Sequence, residues 1–279
     1  MSFAEKTGLE FDDALWNLSQ HARGLYSTIV ISEEYGEAVT ITAAHSLAHL
    51  QLSNMTQKHF TLYMHQAGPN SWKVAFVLNE LGLEYERKYI SLAAEEQKTP
   101  EYLKINPNGR LPALVDHEND DYTVWESAAI LLYIVDKYDK ESKLSFPADH
   151  PERHHLYQWL FFQMSGQGPY MGQAFWFIRS HPEHIPSAIE RYKNEIKRVV
   201  GVLESVLSKQ EWLVGEKLTI ADISFVPRNA ALGYLFGEDF DFEKEFPATF
   251  KWHAKLVALP GIKAALEEQS KAMTLMNKQ

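Results

Sequence analysis

The order of strand and helix patterns after position 58 constrains the fold more than any other feature of the sequence. Alternating or β-branched stretches predict strands, and apolar residues at helical spacing predict helices. The order is strand, helix, strand, helix, strand, strand, helix, in HFTLYMH, SWKVAFVLNELGL, YERKYISL, TPEYLKIN, RLPALVD, YTVW and ESAAILLYIVDKY. The alternation implies a parallel pair joined by a right-handed crossover, and the turn HENDD implies an antiparallel hairpin. The sequence therefore predicts a small α/β domain.

The second half of the chain is predicted to be entirely helical. Residues 186–209 repeat apolar side chains at helical spacing, which is typical of a long amphipathic helix. In LTIADISF, Thr219 and Asp222 form a capping box that starts another helix, and Pro227 should kink or restart it. We therefore predict the class α/β plus all-α. The predicted boundaries are an extension, mobile or docked, at 1–57, the α/β domain at 58–141, a charged proline-containing linker at 142–152, the all-helical domain at 153–270 and a tail at 271–279.

Composition excludes several classes of function. The 279 residues include 27 Lys and Arg against 37 Asp and Glu, a net charge of −10 that disfavours sequence-independent binding to nucleic acid. No apolar run reaches the roughly 18 residues that a membrane-spanning helix needs, so no membrane partner is predicted. The first residues show no signal-peptide or transit-peptide pattern, and we expect a cytoplasmic location. The chain has no cysteine, so any thiol chemistry must be brought by a cofactor.

Several ordered motifs resemble those of the cytosolic glutathione transferases. NPNGRLPAL (106–114) resembles the loop before that family's cis-proline, WESAAILLYI (125–134) resembles its glutathione-contacting Glu-Ser, and LTIADISF resembles its helical-domain capping motif. HQAGPNSWKV and WLFFQMSGQGPYMGQA resemble the fungal subgroup that includes the yeast nitrogen-catabolite regulator and prion protein. The resemblance covers residues 58–270. It implies a thioredoxin-like domain followed by the family's helical domain, glutathione as co-substrate, and a homodimer.

The resemblance assigns the γ-glutamyl end of glutathione to Glu126 and Ser127. These residues begin the helix after YTVW, where free N–H groups and the helix dipole attract a carboxylate. The Ser127 hydroxyl would donate to that carboxylate, and Glu126 would accept from the ammonium. Capping the helix is the ordinary alternative for both residues.

The remainder of the tripeptide is assigned to two loops. Leu111 precedes Pro112, which the resemblance implies is cis, and the Leu111 backbone would pair with the cysteinyl part as a strand does. An ordinary trans bond is the alternative. Arg110 is placed to meet a carboxylate of the ligand, but it could equally be solvated. Gln97 and Lys98 are assigned to the glycyl carboxylate.

The turn between the first strand and the first helix is predicted to hold the sulfur of glutathione as a thiolate. Asn70 offers an N–H donor at a helix amino terminus, and both features stabilise an anion. Asn70 also matches the asparagine of the fungal subgroup, so the resemblance assigns it thiolate stabilisation rather than proton transfer. Asn70 could instead cap the helix, Ser71 could be the donor, and His65 could tune the site. Tyr63 is expected to be a core residue.

The second substrate is predicted to bind between the domains, against the aromatic stretch 157–177. Gly166, Gly168 and Pro169 interrupt this stretch and should bend the helix or open a concave wall. The predicted lining residues are Trp159, Phe162, Gln163, Tyr170 and Met171. At least half of them are expected to belong to the core instead. No metal is predicted, because the histidines of this half lack a convincing acidic partner.

Two functions from different classes are compatible with the sequence. The first is a glutathione S-transferase that conjugates or reduces small hydrophobic electrophiles in detoxification, with glutathione-dependent disulfide reduction or peroxidase activity beside it. The second is a non-catalytic glutathione-binding regulator or ligand carrier, because a fold does not by itself determine function. The ligand-binding motifs favour the enzyme. The lack of a Gln- and Asn-rich tract disfavours a prion-type regulator.

Overall fold

The computed structural model describes residues 58–276. Lys58–Gln279 form one compact unit, which contains the predicted α/β domain, linker and helical domain. The predicted extension at 1–57 lies outside the described residues, as do the last three residues of the predicted tail.

The α/β part is built on a four-stranded sheet. Its elements are β1 (Phe60–Met64), α1 (Pro69–Glu80), β2 (Tyr85–Tyr89), α2 (Pro100–Ile105), β3 (Ala113–Asp116), β4 (Tyr122–Trp125) and α3 (Ser127–Tyr138). The strands lie in the order β2, β1, β3, β4. β1 runs parallel to β2, while β3 runs antiparallel to both β1 and β4. The predicted parallel pair and the predicted antiparallel hairpin are both confirmed.

α1 begins and ends where its sequence requires. Pro69 lies in the first turn, where a missing N–H costs no hydrogen bond. Gly82 follows the helix with a φ of 68°, a conformation that glycine adopts without strain. Side chains from Ser71 to Leu78 are all buried, because α1 contacts the sheet, α3 and the helical part at once. A helix buried on all sides is expected to be apolar, and Ser71 and Lys73 are the polar exceptions within this stretch.

The helical part begins at residue 152. Its helices are α4 (Glu152–Phe162), α5 (Gly168–Arg179), α6 (Pro186–Leu207), α7 (Ile220–Asn229), α8 (Leu232–Phe236), α9 (Phe242–Glu245), α10 (Pro247–Val257) and α11 (Pro260–Met276). A π-helical turn at Gln163–Gln167 joins α4 to α5. The interruption predicted at Gly166, Gly168 and Pro169 is therefore a widened turn in a continuous helix.

The segment between α3 and α4 is docked on the body of the protein. Leu144 and Phe146 are buried. The Asp139 carboxylate accepts hydrogen bonds from the backbone N–H groups of Lys143 at 2.6 Å and Leu144 at 2.8 Å, and from the Ser145 hydroxyl at 2.8 Å. These bonds hold the connection in one conformation.

α7 is fixed by the predicted capping box. The Asp222 carboxylate accepts hydrogen bonds from the Thr219 backbone N–H and hydroxyl, both at 2.9 Å, and from the Trp252 indole at 3.1 Å. Pro227 lies inside α7, so it neither ends nor restarts the helix. Apolar side chains of β1, α1, α7 and α11 share one core cluster. The helical part is thereby held against the first helix of the α/β part.

Candidate functional site

A cavity of about 330 Å³ opens at the amino end of α1. It is lined by His65, Gly68, Pro69, Asn70, Ser71, Leu92, Gln97, Lys98, Gly109, Arg110, Leu111 and Arg228. Five of the predicted site residues therefore lie around one space, namely Asn70, Gln97, Lys98, Arg110 and Leu111. They come from the first turn of α1, the 3₁₀ turn Glu96–Lys98 and the loop before β3, which meet at one edge of the sheet.

Asn70 is the second residue of α1, and Gly68 is the N-cap. The structure therefore does not support the alternative that Asn70 merely caps the helix. Ser71, the other predicted donor, is 1% exposed and also lines the cavity. The amino end of α1 faces this space, so its dipole favours an anion there.

His65 lines the same wall. Its Nδ1 accepts a hydrogen bond from the Ala67 backbone N–H at 3.2 Å, which assigns the ring proton to Nε2. Burial lowers the pKa of His65, so the ring is neutral at pH 7. His65 can donate a hydrogen bond but does not add a positive charge.

The opposite wall is formed by Gln97, Lys98 and the loop before β3. Gly109 has a φ of 60°, and a Cβ there would lie 2.7 Å from Lys98 Nζ. Glycine is therefore needed for both the turn and the close approach of Lys98. The Arg110 carbonyl accepts hydrogen bonds from the Tyr102 hydroxyl and the Asn106 amide, both at 2.7 Å.

Leu111–Pro112 is cis, as predicted. Leu111 is half-buried beside the exposed Arg110, so both reach the cavity from one loop.

Glu126 and Ser127 do not line this cavity. Glu126 is exposed and has a φ of 71° at the start of α3. Ser127 is 2% exposed, and its hydroxyl donates to Met164 Sδ at 3.5 Å. A thioether is a weak acceptor, so a carboxylate would be a stronger partner for this hydroxyl.

The residues predicted for the electrophile pocket are divided by the structure. Trp159 and Phe162 are half-buried against the main core, and Tyr170 is half-buried against a second core cluster. Gln163 and Met171 are both 0% exposed. Their placement as lining residues is corrected: Met171 packs within the second cluster, and Gln163 bonds to other buried polar groups. None of the five lines the cavity beside Asn70.

Two cations near this cavity were not predicted from the sequence. Lys73 is 1% exposed, and its ammonium donates to Gln163 Oε1 at 2.6 Å. Arg228 at the end of α7 lines the cavity itself. A lysine one turn after Asn70 and an arginine after Pro227 resemble ordinary surface residues in the sequence, because burial of a cation has no sequence signal.

Among residues 58–276, none of the helices has the length and apolar character that crossing a membrane requires. The same residues contain no group of three or more His, Asp or Glu side chains suited to a metal ion.

The fold and the cavity define a class: a thioredoxin-like domain joined to a helical domain, with a cation-lined cleft at the first helix. Family models match the same two domains. The glutathione S-transferase N-terminal domain matches residues 58–136, and the glutathione S-transferase C-terminal domain matches residues 169–260.

Several similar proteins come from fungi. The chain is 53% identical over 224 residues to Glutathione S-transferase 1 of Schizosaccharomyces pombe, covering 77% of this chain and 98% of that protein. It is 35% identical over 261 residues to Transcriptional regulator URE2 of Saccharomyces cerevisiae, covering 79% and 73%. The crystal structure of the glutathione transferase URE2P6 from Phanerochaete chrysosporium, in complex with oxidized glutathione, has a TM-score of 0.75 at 60% identity, covering 77% and 98%. The chain belongs to the glutathione S-transferase family.

Proposed function

We propose that this protein conjugates small hydrophobic electrophiles with glutathione and that Asn70 stabilises the reacting thiolate. The observation that carries the proposal is the position of Asn70 at the amino end of α1, inside the cavity that Gln97, Lys98, Arg110 and Leu111 also line. A donor, a helix dipole and peptide-binding groups therefore surround one space of suitable size.

The charges of the cavity match those of glutathione, which has two carboxylates, one ammonium and one thiol. Lys98 and Arg110 provide cations for a carboxylate. The Leu111 backbone provides strand-like pairing for the cysteinyl residue. Ser127 and the amino end of α3 remain the proposed site of the γ-glutamyl carboxylate, with Glu126 for the ammonium. Binding there would replace the weak bond from Ser127 to Met164 with a charge-assisted one.

Catalysis then requires a lower pKa of the glutathione thiol, since a free cysteine thiol has a pKa of about 8.5. The Asn70 amide can donate to the sulfur but cannot relay a proton. In conjugation the thiolate attacks the electrophilic carbon, a C–S bond forms, and the leaving group departs with its electron pair. The thiol proton passes to solvent.

Glutathione-dependent disulfide reduction is a proposed second activity. The glutathione thiolate would attack a glutathione-capped disulfide, forming oxidised glutathione and releasing the other half as a thiolate. The crystal structure of the relative URE2P6 contains oxidized glutathione. This supports a site in the present protein that is large enough for both glutathione units of the product. No protein cysteine is available for this step, so glutathione itself supplies the attacking thiol.

Two assays test the enzyme against the alternative of a non-catalytic regulator or carrier, which the similarity to Transcriptional regulator URE2 motivates. Turnover is measured with a haloaromatic acceptor and with a glutathione-capped disulfide. Turnover of either substrate by wild type, slowed in Asn70→Ala, supports the enzyme. Tight glutathione binding without turnover of either one supports the regulator.

The predicted homodimer and cytoplasmic location stay predictions. Family resemblance motivates the dimer, and the exposed Tyr122 and Phe161 give apolar surface outside the cavity. Light scattering at micromolar concentration should give the mass of two chains, and the mass of one chain would exclude the dimer.

A further inference from the structure

Arg228 is a cation for which the proposed glutathione-binding scheme has no use. Among residues 58–276 it is the only residue of the helical part that lines the cavity. Its Nε is buried and has no hydrogen-bond partner, and it forms none of the ion pairs found in the described part of the chain. Burial lowers the pKa of Arg228 to about 10, so the guanidinium is still charged at pH 7.

A chain of buried amides fixes the helix end that carries Arg228. Lys73 donates to Gln163 at 2.6 Å, Gln163 donates to Gln167 at 3.1 Å, and Gln167 donates to the Asn229 side chain at 2.7 Å. The chain runs from the helix of Asn70 to the neighbour of Arg228. These bonds fix the end of α7, which carries Arg228, relative to α1, the helix of Asn70.

The charges around the cavity leave Arg228 unmatched. The lining of the cavity has three cations, Lys98, Arg110 and Arg228, and no carboxylate among the described residues. The proposed scheme gives Lys98 and Arg110 to glutathione. A partly buried guanidinium without a partner is costly, so a partner that arrives with the second substrate would remove this cost.

We propose that Arg228 binds a carboxylate on the second substrate, so that the protein prefers carboxylate-bearing electrophiles to neutral ones of the same shape. The inference rests on the proposed function. A guanidinium offers two parallel N–H donors that match the two oxygens of a carboxylate. A lysine carries the same charge without that geometry.

Two probe substrates of matched shape isolate the charge: 4-chloro-3-nitrobenzoate and 4-chloro-3-nitrobenzamide. In both, the glutathione thiolate attacks the carbon that carries chlorine, a C–S bond forms, the C–Cl bond breaks, and chloride leaves with the electron pair. The ratio of kcat/KM for the benzoate to kcat/KM for the benzamide is measured in the full chain. Comparing this ratio between wild type and variants cancels the different intrinsic reactivities of the two probes.

Arg228→Gln should lower this ratio roughly ten- to hundredfold, since a hydrogen-bonded charged pair is lost. Arg228→Lys should lower it less, because it keeps the charge but loses the fork. Arg179→Gln is the matched control: this arginine is exposed at the end of α5, outside the cavity. Its ratio should equal that of wild type. An unchanged ratio in Arg228→Gln overturns the proposal.

A second measurement separates this role from action on the sulfur. Arg228→Gln should leave the pKa of bound glutathione unchanged. A raised thiol pKa with equal loss of rate on both probes would assign Arg228 to the thiolate and overturn the proposal.

Failure of the proposed function is distinguished by calorimetry with the two glutathione conjugates. If wild type turns over neither probe, the proposed function fails. The carboxylate preference is then decided by whether wild type, but not Arg228→Gln, binds the carboxylate conjugate more tightly than the amide conjugate. Equal binding of both by wild type refutes the preference.

Discussion

The Lys73 ammonium donates a 2.6 Å hydrogen bond to the side-chain oxygen of Gln163, joining the helix of Asn70 to the π-helical turn. Lys73 is 1% exposed. Burial, together with the charge of Arg228, lowers the pKa of Lys73 to about 7, and Glu126 opposes this only in part. A group that titrates near neutral pH therefore lies inside the contact between the α/β part and the helical part.

The first prediction is that Lys73 makes the free energy of unfolding rise with pH between about 7 and 10.5. In this window the unfolded chain keeps the lysine proton while the folded chain has lost it, so the unfolded state binds more protons. The contribution is at most about 1.4 kcal/mol per pH unit. Below pH 7 both states are protonated, and this slope disappears. Denaturant unfolding across pH 6–10 measures it.

Lys73→Met should remove that slope. The matched control is Lys271→Met, since the Lys271 side chain is exposed on α11. If wild type, Lys73→Met and Lys271→Met all show the same dependence of unfolding free energy on pH, Lys73 does not titrate in this range.

The second prediction concerns Asn70. Asn70→Ala should raise the pKa of the bound glutathione thiol and slow conjugation roughly ten- to hundredfold, the effect of losing one hydrogen bond to an anion. Affinity for glutathione should change less, because the peptide portion is held elsewhere. Ultraviolet titration of the thiolate and steady-state kinetics measure both effects. If Asn70→Ala leaves the thiol pKa and turnover unchanged, while Ser71→Ala or His65→Ala abolishes both the lowered pKa and turnover, the assignment of the donor is wrong.

The third prediction is that Ser127→Ala weakens glutathione binding more than it slows chemistry. The lost bond to the γ-glutamyl carboxylate is expected to weaken binding roughly ten- to hundredfold. Calorimetry gives the affinity, and kcat at saturating glutathione gives the chemistry. The control is Ser224→Ala, which removes a buried hydroxyl that donates to the Ala221 carbonyl at 2.7 Å in α7. Equal affinities for Ser127→Ala and wild type would remove Ser127 from the site.

The fourth prediction is that Gly109→Ala lowers both stability and glutathione affinity. A Cβ at Gly109 would lie 2.7 Å from Lys98 Nζ and 2.8 Å from the Gln97 carbonyl oxygen, at a positive φ. We expect a loss of about 1–3 kcal/mol in unfolding free energy. Gly172→Ala in α5 is the opposite control, because its Cβ meets no atom within 4 Å. That change should stabilise by about 0.5–1 kcal/mol. Thermal unfolding measures the stability of both variants, and calorimetry measures the affinity of Gly109→Ala for glutathione.

Periodicity and local motifs determined most of the fold. The strand and helix order of residues 59–138 follows from side-chain alternation, and the α7 start follows from the spacing of Thr219 and Asp222. Both signals act within a few residues, so they are visible without tertiary structure. The cis bond at Leu111–Pro112 was expected from resemblance to the family rather than from local energetics, since the local preference between isomers is small.

The predicted cavity residues Asn70, Gln97, Lys98, Arg110 and Leu111 came from the same resemblance. Their convergence depends on the sheet, because only the parallel pairing of β1 with β2 brings the loops after both strands to one edge. The electrophile pocket was predicted less well. Aromatic spacing in α4 and α5 cannot show which side of a helix becomes core, and Met171 and Gln163 became core.

The sequence by itself determined the strand and helix order, the capping box and the exclusion of a protein thiol. Tertiary structure alone decided which polar groups are buried. Lys73 and Arg228 look like solvated cations in the sequence, and they become functional candidates only because packing of α7 against α1 removes water from them. Desolvation depends on residues more than 150 positions apart meeting in space, as Lys73 and Arg228 do, and no local pattern records that.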